Sequence, residues 1–523
     1  MTEKKTGITR RNFLKTVAAG AVGVAAAGVL GGCSSSGAAG GTPAAGGGAA
    51  PSVSETQETD IVVVGGGSSG LCAAVQAAQL GAGVILLEAN SVIGGNGQLT
   101  EGMFAIGSSL QRASGVGLDL TFREVVAVEQ EFFNYRVNAL FWKDLVENSA
   151  DNLEWLIENG VQFSGVVDNY YGLGKIPAFH WFVDGSGRNY IGPMAAKAEE
   201  LGVQILLKTP GDDLIQDETG KVAGIYAKKE DGTLMQINCK AVILASGGYA
   251  NNMEMMEARG YDMTYTINQG NPHHNGDGLR MATKAGGADV SLQRCFLREP
   301  YAYGTNFFGD MSQAIQRGGP LLWVNQDAER YCNEDCGAFT PGNNSNAVHT
   351  QQKSFLIFDR PWLENLAQTV ENLVQDVEDA VAECPGENIY KADTIEELAT
   401  LAGLDPAALA ATLARYNTLC AQGLDEDFNK PAEKMVALTT GPYYIFRQDL
   451  SFWTSIGGIH TNRRMEVIDL AGSRVPGLYA AGTDGCELYR ETYTMNVPAS
   501  CNGNNCNSGR VAAKNAVAEF VQA

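Results

Sequence analysis

Between Asp60 and Glu88 the sequence leaves little choice of fold. Ile61-Val62-Val63-Val64 is a short run of β-branched residues, the pattern of a strand buried on both faces of a parallel sheet. It runs into Gly65-Gly66-Gly67-Ser68-Ser69-Gly70 and then into Leu71–Ala78, a helix of small residues. Gly65 serves the tight turn, Gly67 lets backbone approach a pyrophosphate, and Gly70 lets helix and strand pack closely. The first turn of that helix, where Ser69 sits, offers free N–H groups to phosphates. A second strand, Gly83–Leu87, ends at Glu88, about 20 residues after the glycines, where an acid accepts hydrogen bonds from ribose hydroxyls and repels a 2′-phosphate. A lone GxGxxG says little. The order strand, turn, helix, strand, acid predicts a dinucleotide site in an α/β, Rossmann-like fold.

The length of 523 residues suits one large two-part protein or two to three ordinary domains. The 63 glycines fall largely in GG pairs and near the N-terminus, and exceed the usual share of about 7%. A formal charge of −22 excludes nucleic acid or anionic lipid as the main partner, since both need basic surface. The 11 cysteines show no CxxC spacing and no CxxCH, so no haem is attached to this chain through that motif. Cys332 with Cys336 and Cys501 with Cys506 read as free thiols, and no metal site is expected.

The N-terminus reads as an address. Thr9-Arg10-Arg11-Asn12-Phe13-Leu14-Lys15 before an Ala/Val-rich stretch to Leu30 has the pattern of a twin-arginine export signal. Leu30-Gly31-Gly32-Cys33 resembles a bacterial lipobox with Cys33 as the lipidated residue, which would place the protein in the cell envelope on a lipid tether. Residues 1–33 form this signal, and 34–57, rich in Ser, Gly, Ala and Pro, read as a flexible linker, with folded structure starting near Thr59.

Several later segments resemble the fumarate reductase and succinate dehydrogenase flavoprotein family. Gly94-Gly95-Asn96-Gly97 after the ribose-binding acid is similar to its GGN segment, which lies against the pyrophosphate, and Gly102 follows on the way to the flavin. Ala241–Tyr249, with Ser246 and Gly247, resembles its AVILATGGF turn; Asn275-Gly276-Asp277-Gly278 resembles its TGDG helix start, with Asp277 facing the cofactor. Pro476–Gly482 matches PGLYAAG, followed here by Thr483 where many relatives carry an acid that contacts the ribitol. Ser500 and Cys501 open a helix that in the family lies at the flavin's O2 edge. The resemblance implies FAD as cofactor, a discontinuous FAD-binding domain from 59–295 and 456–523, and an inserted α+β capping domain over 296–455. In that cap, Asn325 and Arg330-Tyr331-Cys332-Asn333-Glu334 resemble a family strand.

The family's substrate groups are another matter. The carboxylate-binding histidine would fall at Thr454, the proton-donating arginine near Ala338, and Val497-Pro498-Ala499-Ser500-Cys501-Asn502 replaces the segment bearing a clamp arginine. Fumarate is therefore not the expected acceptor. Tyrosines stand in their place: Tyr301, Tyr303, Tyr489 and Tyr493, with Arg298, Arg317 and Arg490 as cations able to support a phenolate or hold substrate. The catalytic candidates are Tyr301, Tyr303, Tyr493, Arg298 and Arg317. His180 reads equally as a substrate-mouth residue or a structural one. The expected activity is hydride transfer from flavin to an activated C=C bond of a small organic acceptor, an enone or acrylate type, with electrons from a separate membrane or multihaem cytochrome. Two alternatives stay open: a 3-ketosteroid-type dehydrogenase, which the Pro498-Ala499-Ser500-Cys501-Asn502 run also resembles, and a non-catalytic flavin-binding lipoprotein.

Overall fold

The computed structural model describes residues 53–523 apart from 265, 294, 303–320, 337–340, 384–388 and 491, with side chains for all of these but 267, 297–302, 341 and 342. The expected signal, Cys33, Tyr303, Arg317 and Ala338 lie outside the described residues, and of Tyr301 and Arg298 only the backbone is described.

Strand β1 (Ile61–Val64), helix α1 (Ser68–Gln79) and strand β2 (Val84–Leu87) form where the sequence places them. β1 is central in a six-stranded sheet ordered Glu466–Ile468, Arg474–Ala480, β3 (Ala241–Leu244), β1, β2, Gln204–Leu206. Its two neighbours run parallel to it, Ile61 opposite Ala241 on one side and Val84 on the other. Covered on both faces, all four residues of β1 are buried, which is why no polar alternation appears in its sequence. The parallel strands end on the same side, and the glycine turn follows β1 at that carboxyl edge, where such folds bind ligands.

Helix α2 (Phe122–Phe132) opens on a capping box made by Thr121 and Glu124 and buries Val125, Val126 and Glu129. The last helix, α3 (Ser500–Phe520), packs along α1. The two approach closely because both present small residues: a Cβ on Gly509 would lie 2.3 Å from the Ser69 carbonyl oxygen.

A second six-membered sheet is organised by one long strand, β4 (Tyr443–Ile456), paired antiparallel with Cys295–Ala302, Ser354–Asp359 and Ile389–Ala392, and parallel with Ile267–Asn268. The helices Ile395–Ala402 and Pro406–Gln422 cover it through Leu398, Leu409, Leu413 and Tyr416. Beside it Arg330 is buried between Glu334 (2.8 Å) and Asp425 (2.9 Å), and Lys430 lies 3.3 Å from Glu334. Two cations and two anions neutralise one another there, the condition under which buried charge is tolerated.

One boundary differs from expectation. Val53–Glu58, within the stretch read as linker, is a strand lying parallel to Leu234–Asn238 at the edge of a four-stranded sheet. Its residues VSETQE carry little apolar signal because an exposed edge strand is held by backbone pairing, here joined by an ion pair between Lys229 and Glu55.

Candidate functional site

The glycine turn is shaped by what each missing side chain would strike. Gly65 has φ +104°, and a Cβ on it would meet the Ala245 carbonyl oxygen at 2.3 Å; a Cβ on Gly70 would sit 1.8 Å from the Gly65 oxygen. Both positions serve close packing of backbone on backbone. Gly67 differs, for its Cβ direction is open, the nearest atom being the Gly94 oxygen at 3.8 Å. Ahead of α1 the amides of Ser68, Ser69 and Gly70 have no helical carbonyl to bond and no side chain caps them. Among the described residues the buried Ser68 hydroxyl has no partner. An open glycine, free helix-start amides and an orphaned hydroxyl at one spot offer the room and the donors that a diphosphate needs.

Gly94 and Gly95, at φ +120° and +48°, bring a second backbone segment alongside, with the Gly94 amide donating to the Gly66 carbonyl at 2.9 Å. Gly97 packs on Ser68, and Ser69 packs under Gly482, where a Cβ would be 2.2 Å from its Oγ. Asn96 works as a staple: its Nδ2 donates to the Trp453 carbonyl (2.7 Å) and its Oδ1 accepts from the Asn271 amide (2.8 Å). Glu88 is buried at the end of β2 and accepts the amides of Gly66 (2.8 Å) and Asn90 (2.7 Å). Burial holds its carboxyl above the ordinary range, with the two amides opposing. A ribose diol within reach would supply the polar contact that this desolvation removes.

Two residues assigned to the cofactor face elsewhere. The Asp277 carboxylate, half-buried, pairs with Arg280 at 3.4 Å on the surface. The buried acid of that turn is Asp484, which accepts the amide of Gly248 and the hydroxyl of Ser246, both at 2.8 Å, beside Gly247. Asp484 stands one residue after Thr483 in the chain; Asp277 turns outward because it starts a helix whose next turn presents Arg280. Gly102 faces a neighbouring strand: a Cβ there would strike the Phe179 ring at 2.3 Å and the His180 carbonyl at 2.4 Å. His180 is fully buried, its Nε2 2.7 Å from the Ser108 hydroxyl and its Nδ1 3.1 Å from the Ala178 carbonyl. Burial lowers its pKa to about 4, so it stays neutral, and of the two readings the structural one holds.

The start of α3 brings the remaining residues together. Ala499 adopts φ +58°, turning the chain into the helix, and the amides at Cys501 and Asn502 have no preceding helical carbonyl. Asn502 and Asn505 each carry a buried Oδ1 with no partner among the described residues. The Ser500 hydroxyl donates to the Val497 carbonyl and receives the Tyr489 hydroxyl, both at 2.6 Å, so that phenol is committed to the helix cap. Tyr493 stacks edge-on against Tyr489 with centroids 5.1 Å apart. Its hydroxyl shares its surroundings with Cys501, Tyr170, Glu129 and Cys295, and burial pushes it well above the usual phenol pKa, so it stays a neutral phenol. Arg490, proposed as a cation beside these tyrosines, instead donates to the Arg136 carbonyl at 2.9 Å and lies 3.3 Å from Gln293 on the outside. Thr454, at the place of the missing histidine, donates its hydroxyl to the Gly247 carbonyl at 3.0 Å.

Next to Tyr493 the loop 169–176 runs against 496–498, with the amides of Lys175 and Ile176 sharing the Asn496 carbonyl. It carries Tyr170, which stacks on Trp181 (centroids 5.6 Å) and Phe179 (4.8 Å) and donates its hydroxyl to Glu101 at 2.6 Å. Glu129 and this aromatic wall are missing from the sequence reading. Among the described residues no group of three metal-ligating side chains occurs.

Residues 60–496 match the sequence family described as FAD binding domain. The vinyl phenol reductase of Lactiplantibacillus plantarum is 32% identical over 471 residues, covering 86% of this chain and 94% of that protein. A cytochrome-type fumarate reductase of Shewanella frigidimarina is 29% identical, covering 79% and 70%. Among solved structures, the 3-ketosteroid-Δ4-(5α)-dehydrogenase of Rhodococcus jostii RHA1 with 4-androstene-3,17-dione superposes with a TM-score of 0.67 at 25% identity, covering 89% of this chain and 99% of that one.

Proposed function

Since the chain belongs to the FAD binding domain family, as an FAD-dependent oxidoreductase acting on carbon–carbon double bonds, we propose that it reduces an alkene conjugated to an aromatic ring, with Tyr493 giving the proton. The residues present suit FAD: the open Gly67, the amides of Ser68–Gly70 and the Ser68 hydroxyl for the diphosphate, Glu88 for the ribose, and the α3 amides at the ring. Bound FAD supplies the two electrons as hydride.

The chain's own residues do the rest. The amides at Cys501 and Asn502, at the positive end of a helix dipole, stabilise negative charge placed before them. Tyr493, buried and protonated, holds its proton ready for a substrate carbon. Tyr170, Phe179 and Trp181, packed on one another, give the Tyr493 side of the site an aromatic lining suited to a planar substrate. The observation that carries this reading is the buried Tyr493 phenol beside Cys501 at the start of α3, with Thr454 at the place of the carboxylate-binding histidine. The vinyl phenol reductase at 32% identity supports it.

A second reading keeps the same site in reverse, desaturation beside a ketone. The paired tyrosines and the likeness to the steroid dehydrogenase favour it. Mixing the oxidised holoenzyme anaerobically with a saturated cyclic ketone distinguishes the two, since only that reading predicts bleaching. For the main reading, steady-state rates with a reduced dye and a series of acceptors are the test. An aryl-conjugated alkene should exceed fumarate; equal or greater activity with fumarate overturns the assignment.

The twin arginine at Arg10-Arg11 and the lipobox at Cys33 support export and lipid tethering in the cell envelope, and the cytochrome-type fumarate reductase among the relatives supports a separate cytochrome as electron donor. Fractionation of cells carrying the wild type or Cys33→Ala tests the address: the variant should leave the membrane fraction for the soluble one. Equal membrane association of both contradicts a tether at Cys33.

A further inference from the structure

Glu129 is an anomaly of α2. It lies on the buried side of the helix with no exposed surface, in a chain whose other acids sit largely in ion pairs or on the outside. Its Oε1 accepts the Thr494 hydroxyl at 2.7 Å. Its Oε2 is buried and accepts no hydrogen bond among the described residues, and the Asn496 amide lies alongside outside good hydrogen-bond geometry. The groups facing it are Thr494 and Asn496 from the loop before α3, Lys175 from the 169–176 loop, and the phenol of Tyr493. A carboxylate with one bonded oxygen and one bare buried oxygen is poorly solvated; as a carboxylic acid it carries its proton on the bare oxygen and loses that penalty. Burial accordingly raises its pKa to about 7, with Thr494, Asn496 and Lys175 opposing.

We infer that Glu129 is a buried proton reservoir for Tyr493, returning to the phenolate the proton that the phenol gives to the substrate carbon. The inference rests on Tyr493 as proton donor in the proposed reaction. The balance closes with one proton drawn from solvent. The substrate double bond gains a hydride on one carbon and the Tyr493 proton on the other, its π pair forming the second C–H bond. The tyrosine phenolate then takes the proton from the Glu129 carboxyl, and Glu129 regains one from water. The two electrons come from the reduced cofactor, and no other oxidant or reductant enters. Glu129 touches neither substrate nor cofactor in this scheme; it is a positioning residue that acts through Tyr493.

The test uses the holoenzyme, with Glu129→Gln as the near-isosteric variant and Thr494→Val to remove the one donor to Oε1. Infrared difference spectra across pH report the group without turnover. The wild type should show a carboxylic C=O band that titrates with a midpoint near 7 and vanishes in Glu129→Gln. In Thr494→Val the same band should titrate at higher pH. In repeated turnover with a reduced dye and an aryl alkene, where each cycle after the first needs Tyr493 reprotonated, the wild-type rate should fall as pH rises through that midpoint. Glu129→Gln should be roughly 100-fold slower at pH 6, the low side of general acid contributions, and should lose the titration. Unchanged rate and pH profile in Glu129→Gln, or no titrating band in the wild type, overturns the relay. If no alkene reoxidises the wild-type flavin, the proposed reaction fails instead, and the infrared titration still decides the state of Glu129.

Discussion

Replacing Gly67 by alanine separates cofactor binding from folding. The added methyl has room in the folded chain, because the nearest atom is the Gly94 oxygen at 3.8 Å and the backbone, at φ −78° and ψ −169°, suits any L-residue. The flavin-free protein should keep its stability or gain about 0.4–1 kcal/mol from reduced freedom of the unfolded chain. The same methyl enters the space before the Ser68–Gly70 amides, where a diphosphate makes its closest approach. Overpacking of about 1–3 kcal/mol there corresponds to FAD binding roughly 5- to 150-fold weaker. Gly70→Ala is the contrasting case: its methyl would lie 1.8 Å from the Gly65 oxygen, so backbone must move and the flavin-free protein itself is destabilised. The assay pairs thermal unfolding of both flavin-free variants with FAD titration followed by quenching of flavin fluorescence. Wild-type FAD affinity in Gly67→Ala, or a melting temperature as low as that of Gly70→Ala, would refute the assignment of the open glycine to the diphosphate.

Other expectations follow from the same geometry. Tyr493→Phe should retain its flavin spectrum and lose about 10²–10⁴-fold in alkene-dependent reoxidation, measured by anaerobic stopped flow; a smaller loss means that another group supplies the proton. Glu129, raised from 4.5 to about 7 in the fold, adds stability that is fully present below pH 4.5 and is lost as pH rises through 7. At about 1.4 kcal/mol per unit this is on the order of 3 kcal/mol, so denaturant unfolding of Glu129→Gln should lack that fall between pH 4.5 and 7, whereas parallel slopes contradict it. Asp425→Asn leaves Arg330 and Lys430 with one buried carboxylate between them and should cost about 3–5 kcal/mol, read as a lower unfolding midpoint.

The parts of the site that the sequence exposes are those built locally. Turn, helix and acid between Asp60 and Glu88 lie within thirty residues of one another, and each glycine leaves a steric signature that spacing preserves. Asp484 and Asp277 show the limit: both acids stand beside glycine-rich turns, and only the packing of Ser246 and Gly248 around one of them decides which is buried. Glu129 was harder still. In FREVVAVEQEF it reads as one acid among several on a solvated helix face, and the hydroxyl that binds it is 365 residues away in the chain. The edge strand Val53–Glu58 escaped for a related reason, since its partner Leu234–Asn238 supplies backbone pairing that composition does not encode. Local sterics were legible, whereas burial of polar groups by distant segments was not.

The most direct measurement is a single anaerobic turnover. Purified protein carrying its flavin is reduced to the two-electron level, mixed with one equivalent of an aryl-conjugated alkene, and followed at the flavin absorbance while the products are counted. Full return of the oxidised spectrum with one saturated product per flavin is the predicted result. A flavin that stays bleached with every conjugated alkene, yet reoxidises with a dye, would contradict a double-bond reductase built on this turn and this tyrosine.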